Sequence, residues 1–298
     1  MRVTGRASHS RRGVKRISAA GRRFFAGALA LVCAVTAVGV VHGLDRAPDR
    51  VQVQLKWVTQ AQFVGYDAAK AKGFYAAEHL DVAIRPGGPD IVPEQVVAAG
   101  GAELGLGWLP GLLAAREQGA PLVNIAPVFA YSGMRQLAFK TSGIRGVADL
   151  RGRKVAVWFA GNEFPLLATP EKYKEGTAML EDGIFVRADW LATNMPIAAR
   201  FLRASLKGWE FCRDSAAQCV EIVLKESPIL GREHHAWMMA EINKLIWGPP
   251  APRTRPGRMD PDAFMRTADI ALKFGIIRKP AEPGAYTHAV WELAEKKR

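Results

Sequence analysis

From Val51 to Phe129 short apolar runs alternate with helix-period stretches at a spacing of roughly 20–30 residues, a pattern that points to a parallel α/β sheet. Val51, Val53, Leu55 and Trp57 alternate with polar residues, as a half-buried strand requires. Ala61 to Lys72 then reads as a helix stopped by Gly73. Leu80 to Ile84 predicts a second strand, and Pro93 opens a helix through Ala99. Leu104 to Trp108 is a third strand, Pro110 opens the next helix, and Leu122 to Phe129 is a fourth apolar strand. Lys154 to Phe159 and the region Ala178 to Arg187 are further strand candidates.

Beyond these the pattern turns helical. Asn194-Met195-Pro196 is expected to begin a helix with Ile197, Phe201, Leu202, Leu206 and Trp209 on its apolar face. Ala216 to Lys225 is a second helix. Arg232 to Trp247 is a third, with Trp237, Met238, Ile242, Leu245 and Ile246 inward. After a Pro/Arg-rich loop from Gly248 to Gly257, Asp260-Pro261 caps a fourth that ends at Gly275.

The net charge of +13 suggests a nucleic-acid binder until it is located. Residues 1–44 hold eight Arg or Lys and no acid, and taking those eight from +13 leaves +5 for the rest. No basic stripe interleaved with aromatics occurs there, so nucleic acid is not an expected partner. The basic leader precedes an apolar run from Phe24 to Val41, 18 residues rich in Ala and Gly. Such a run serves as a signal h-region or a minimal membrane anchor, so the body is expected to be periplasmic or otherwise extracytoplasmic, cleaved free or anchored through residues 24–41. In that oxidising setting Cys212 and Cys219 can pair. On one continuous helix they would stand about 10.5 Å apart along the axis, too far for a disulfide. A helix break at Asp214-Ser215 would bring them together.

In open α/β sheets ligands bind beyond the carboxyl ends of the strands. That rule selects Trp57, Gln60, Gln62 and Phe63 after the first strand, with Tyr66 one turn on. It also selects Gly88 and Asp90 after the second, Trp108 after the third, and Asn162 and Glu163 after the Lys154 strand. Aromatic faces with amide donors and acceptors suit a flat, hydrogen-bonding ligand. Each also has a plainer reading as rim packing, a turn or a helix cap. No catalytic residue, metal site or cofactor is expected. His234 and His235 are adjacent and diverge by about 100° on a helix, where zinc pairs need i, i+4 spacing. No nucleophile elbow or phosphate loop occurs.

The strings Leu55-Lys56-Trp57, Gln60-Ala61-Gln62-Phe63-Val64-Gly65-Tyr66, Ala69-Lys70-Ala71-Lys72-Gly73-Phe74-Tyr75, Pro86-Gly87-Gly88-Pro89-Asp90, Trp108-Leu109-Pro110 and Trp158-Phe159-Ala160-Gly161-Asn162-Glu163-Phe164 resemble the periplasmic carriers of thiamine pyrimidine precursors and riboflavin. The match resumes at Gly176-Thr177-Ala178-Met179 and runs nearly to the end. The resemblance implies a type II periplasmic-binding-protein-like α/β fold that clamps a flat heteroaromatic ring between two lobes. Relatives carry roughly 60 residues after Ala168 that are missing here, about half a lobe of ordinary size. The second lobe is therefore expected to be incomplete. The implied layout is a leader over 1–44, one lobe from 45–134 and 178–298, and a remnant of the other over 135–177. Asp67 also stands where relatives have a second Tyr.

The resemblance implies an exported solute-binding component of an ABC importer, with a small-molecule solute and a permease subunit as partners. The same family holds a thiamine pyrimidine synthase, which carries a Lys and, four residues later, a His. Gly107 and Gly111 occupy those places here and the enzyme's cysteine cluster is absent, which argues against that activity. A truncated, nonfunctional paralogue is the third reading.

Overall fold

The structure is a computed structural model and describes residues 47–133, 137–156, 179–248 and 252–297. The chain divides into Met1–Ala47 and Pro48–Arg298, and the elements named here belong to the second unit. The leader with its apolar run lies outside the described residues. Among the described residues no helix is long and apolar enough to cross a membrane.

Five strands form one sheet: β1 (Asp49–Gln54), β2 (Leu80–Arg85), β3 (Leu104–Gly107), β4 (Leu122–Pro127) and β5 (Gly183–Arg187), in the order β2-β1-β3-β5-β4. β1 pairs in parallel with β2 and β3, as the alternation of strand and helix requires. β5 is antiparallel to both β3 and β4, so the sheet is mixed rather than parallel throughout. The reason is the path of the chain. It leaves the sheet at Pro127 and re-enters at Gly183, which pairs with Pro127, so both crossings lie on one edge and the returning strand must run backwards. Periodicity within β5 carries no trace of that direction.

The β1–β2 link holds a 3₁₀ turn (Ala61–Phe63), α1 (Val64–Ala71) and α2 (Phe74–Ala77). α3 (Pro93–Ala98) and α4 (Leu109–Glu117) follow β2 and β3. After β5 come α5 (Ala188–Asp214), α6 (Ala216–Glu226), α7 (Arg232–Trp247), α8 (Pro261–Lys273) and α9 (Ala289–Glu295). One core joins β1, β2 and parts of the other strands to α1, α5, α6, α7 and α9; a second holds α3, α4 and α8 around Phe185 and Leu122. Tyr75 and Tyr66 each stack on Phe201, with ring centroids 5.4 and 6.3 Å apart, and Trp209 meets Tyr66 edge-on at 5.7 Å. α1 and α5 cross where both have glycine. A Cβ on Gly208 would overlap the Gly65 carbonyl oxygen, and one on Gly65 would overlap the Trp209 ring.

Several expectations are corrected. α5 begins at Ala188, not at Asn194. Asn194 leaves helical angles (φ −122°, ψ 20°), and its side-chain amide donates to the Trp190 carbonyl at 3.0 Å. The Asn-Met-Pro signal therefore marks a kink inside a helix. On α7 the buried residues are His235, Met239, Ile242 and Ile246, while Trp237 is 61% exposed. The true face follows i, i+4, i+7, i+11, which puts a histidine inside and a tryptophan out. The Ala178–Arg187 strand is confined to β5, and α9 was not anticipated. Lys154, Val155 and Ala156 form no strand; 157–159 lie outside the described residues, as does the expected internal gap.

α5 ends at Asp214 and α6 starts at Ala216, with Ser215 at φ −138° between them. Across that break Cys212 and Cys219 form a disulfide, their Cα atoms 5.5 Å apart.

Candidate functional site

The carboxyl ends of β1, β2, β3 and β4 and the amino end of β5 meet at one edge of the sheet. The strand order turns back at β1 and β3, β2 lying on one side and β5 and β4 on the other. A crevice opens at such a switch point because successive crossovers diverge to opposite faces. Gln54, buried at the end of β1, locks this corner: its amide donates to the Leu55 carbonyl at 3.2 Å and to the Pro86 carbonyl at 3.0 Å. Gly87 N–H donates to the Trp57 carbonyl at 2.8 Å. The approach is so close that a Cβ on Gly87 would lie 2.6 Å from the Lys56 carbonyl carbon, so only glycine fits.

Lys56 and Trp57 leave the sheet here, half-buried. The Gln60 amide donates to Gln62 Oε1 at 2.6 Å, and the Gln62 amide donates to the Asp182 carboxylate. Asp182 is 2% exposed, sits at φ 49°, and its second oxygen, Oδ1, has no hydrogen-bond partner. Burial pushes its carboxyl up to about 7; the Gln62 hydrogen bond opposes this, the Glu181 charge adds to it, and the Lys56 charge opposes it. Glu94, in the first turn of α3, is 5% exposed, and burial raises its carboxyl against the pull of the same Lys56. The Lys56 charge thus acts on two buried carboxylates, one brought from α3 and one from the lead-in to β5.

Glu94 has a space built for it. A Cβ on Gly107 would lie 2.5 Å from Glu94 Oε1, and one on Gly111 2.9 Å from it. Trp108 stands between those glycines as the residue preceding α4, 8% exposed, and the following Leu109 N–H donates to the Leu180 carbonyl at 3.1 Å.

Trp57, Gln60, Gln62 and Trp108 are therefore brought to one edge. Gly88 and Asp90 lie on the β2–α3 loop nearby; Asp90 is exposed, and nothing lies within 4 Å of a Cβ built on Gly88. Phe63 and Tyr66 sit elsewhere than expected: they are 0% and 2% exposed, inside the core beneath the site. The 3₁₀ turn tips Phe63 inward and Tyr66 follows it three residues on, so both support the site from below instead of offering an open face. Burial holds the Tyr66 hydroxyl well above its ordinary pKa, and the Asp182 charge adds to this. Asn162 and Glu163 lie outside the described residues.

Lys56, Glu94 and Asp182 were missed by the sequence reading. Glu94 had a signal, since it follows the first-turn proline Pro93 of the helix that comes directly after the selected residues Gly88 and Asp90. Asp182 had none, because its neighbours in space come from 120 positions earlier. Among the described residues no cluster of His, Cys, Asp or Glu could hold a metal ion. His235 is buried and His234 exposed, as their divergence on one helix dictates. His288 Nε2 contacts the Met259 carbonyl at 3.0 Å.

Comparison of the whole shape with solved structures decides the fold. The alkanesulfonate-binding protein SsuA of Xanthomonas axonopodis pv. citri superposes with a TM-score of 0.57 at 14% identity, covering 81% of this chain and 99% of that one. The periplasmic nitrate-binding protein NrtA of Synechocystis gives 0.60 at 13% identity, covering 84% and 89%. The chain has the periplasmic binding protein fold. Within it, residues 60–178 match the family model described as NMT1/THI5 like. A Haemophilus influenzae protein named for thiamine biosynthesis is 27% identical over 123 residues, 41% of this chain and 39% of that protein. The 4-amino-5-hydroxymethyl-2-methylpyrimidine phosphate synthase of Legionella pneumophila is 30% identical over 107 residues, 36% of this chain and 34% of that protein. The matched stretch spans less than two fifths of either curated relative.

Proposed function

We propose that this chain is an exported solute-binding component of an ABC importer whose solute is a flat heteroaromatic compound of the thiamine-pyrimidine or riboflavin type. One lobe would comprise 45–134 with 178–298, and 135–177 would be the remnant of the other. The observation that carries the reading is the meeting of Trp57 and Trp108 with the Gln60–Gln62–Asp182 chain and the buried Glu94 at the switch point of a binding-protein sheet. Half-buried Trp57 supplies a stacking face, Trp108 reaches the same edge with 8% of its surface exposed, and the amides and carboxylates supply both signs of hydrogen bond to ring nitrogens and exocyclic amines. Gly88, Asp90, Asn162 and Glu163 complete the proposed set, and a permease is the proposed macromolecular partner.

Titration of the protein with riboflavin and with aminopyrimidines, followed by tryptophan fluorescence and thermal melting, tests this. Saturable quenching with a rise in melting temperature is expected, and Trp57→Ala should weaken binding about tenfold or more. Quenching of equal affinity in the variant would refute the site.

The synthase reading is favoured by the name of the Legionella relative. Against it, Gly107 and Gly111 stand where that enzyme carries its Lys and His, and the Glu94 carboxylate lies in the space beside both glycines. Incubation with pyridoxal phosphate, histidine and iron discriminates: a pyrimidine phosphate product would establish the enzyme and overturn the carrier.

A further inference from the structure

The Pro/Arg-rich loop after α7 takes no part in the site just described, yet it walls a hollow of about 600 Å³. The rest of the wall comes from the end of β4, the residues before β5 and the first turns of α8, and it shares no residue with the Trp57–Asp182 group. Arg253, Arg255, Arg258 and Arg266 line it, against one acid, Asp260. Asp260 is engaged: its Oδ1 accepts the Asp262 N–H at 3.0 Å as the cap of α8.

The four guanidinium groups are not equivalent. Arg253 pairs with Asp262 at 2.6 Å, and Arg255 pairs with Glu295. Arg258 lies over the Trp291 ring, 5.7 Å from its centroid, and among the described residues neither it nor Arg266 has a carboxylate partner. The hydroxyls lining the hollow are largely committed: Thr254 donates to the Arg258 carbonyl at 2.8 Å and Thr267 to the Ala263 carbonyl at 2.9 Å. The strong donors left over are therefore the guanidinium groups of Arg258 and Arg266, since Arg253 and Arg255 are neutralised by their carboxylate partners. Val128, Phe129 and Leu180, all buried, form an apolar wall of the same hollow.

We propose that this hollow is a second binding site, for a phosphate monoester. Its phosphate would sit on Arg258 and Arg266 and its organic part on the apolar wall. A phosphate monoester is close to dianionic at neutral pH and matches two planar donor forks that lack partners. Bare phosphate fills only a small part of such a volume, which lies in the range of small-molecule sites and has an apolar surface to cover.

Calorimetric titration of the full chain at low ionic strength with phenyl phosphate, and separately with inorganic phosphate, tests the proposal. Phenyl phosphate should saturate, and inorganic phosphate should bind at least tenfold more weakly. Arg258→Gln and Arg266→Gln should each weaken phenyl phosphate about tenfold or more while leaving the fluorescence response to ring compounds unchanged. Arg266 is exposed, so its variant keeps the test readable if Arg258→Gln disturbs the packing on Trp291. No saturable binding of phenyl phosphate, or an affinity unchanged in Arg266→Gln, would overturn the site. Equal affinities for the two probes would overturn the ester as its ligand.

Discussion

Replacing Asp182 by Asn should make the protein more stable at pH 8 and leave it nearly unchanged at pH 4. The folded carboxyl keeps its proton up to about 7, because burial disfavours its ionised form. In the unfolded chain an Asp ionises near 3.9. Between those values the folded state binds more protons, so this group's contribution to stability is full below about pH 4 and is lost as pH rises to 7. The shift is roughly 3 units, and at 1.36 kcal/mol per unit the complete loss is about 4 kcal/mol. Asn cannot ionise, yet its carbonyl oxygen can still accept the Gln62 hydrogen bond. The variant should therefore gain about 2–4 kcal/mol at pH 8, the lower figure allowing for water reaching the edge of the sheet. Asp67, also raised to about 7 by burial and by the Glu226 charge, acts with the same sign in both proteins and cancels in the difference. Urea denaturation of both proteins at pH 4, 6 and 8 measures this directly. Parallel stability curves across that range, or a variant weaker than the parent at pH 8, would refute the claim that Asp182 is a desolvated carboxyl.

Three further outcomes are expected. Gly208→Ala forces a methyl group onto the Gly65 carbonyl and should cost about 2–3 kcal/mol, seen as a fall in melting temperature on the order of 5 °C. Reducing the Cys212–Cys219 bridge, which closes a short loop, should lower the urea-derived stability by about 2–3 kcal/mol; an unchanged midpoint would show that the bridge adds nothing. His235 is held below its ordinary pKa chiefly by burial, so the unfolded chain takes up its proton first and this residue's own contribution to stability should fall as pH drops below about 6.5, against the opposite trend of Asp182 and Asp67. Going from pH 7.5 to 5, His235→Phe should therefore gain stability relative to the parent in paired melts, and a constant difference between the two proteins would refute this.

Much of the fold can be read from the chain because its signals are local. The alternation at Val51, Val53 and Leu55, the first-turn prolines 93, 110 and 261, and the stops at Gly73 and Gly275 each act through their own backbone within a few residues. They delimit the strands β1 to β4 and most of the helices. The rule that ligands gather at strand ends likewise selects Trp57, Gln60, Gln62 and Trp108 from the sequence, and the fold places those four at one edge of the sheet.

What tertiary structure alone decided is where long-range geometry overrides those signals. The direction of β5 follows from which edge the chain re-enters, a fact about 183 and 127 together and about neither segment alone. Asp182 joins the candidate site because its oxygen meets Gln62 across 120 positions. Glu94 joins it because two glycines on a neighbouring strand and helix leave room for its carboxylate. Phe63 and Tyr66 looked like ligand faces, but a 3₁₀ turn rotated them into the core. Sequence periodicity records which residues shun water; which of them then border a cavity and which are sealed beneath it depends on how distant elements pack.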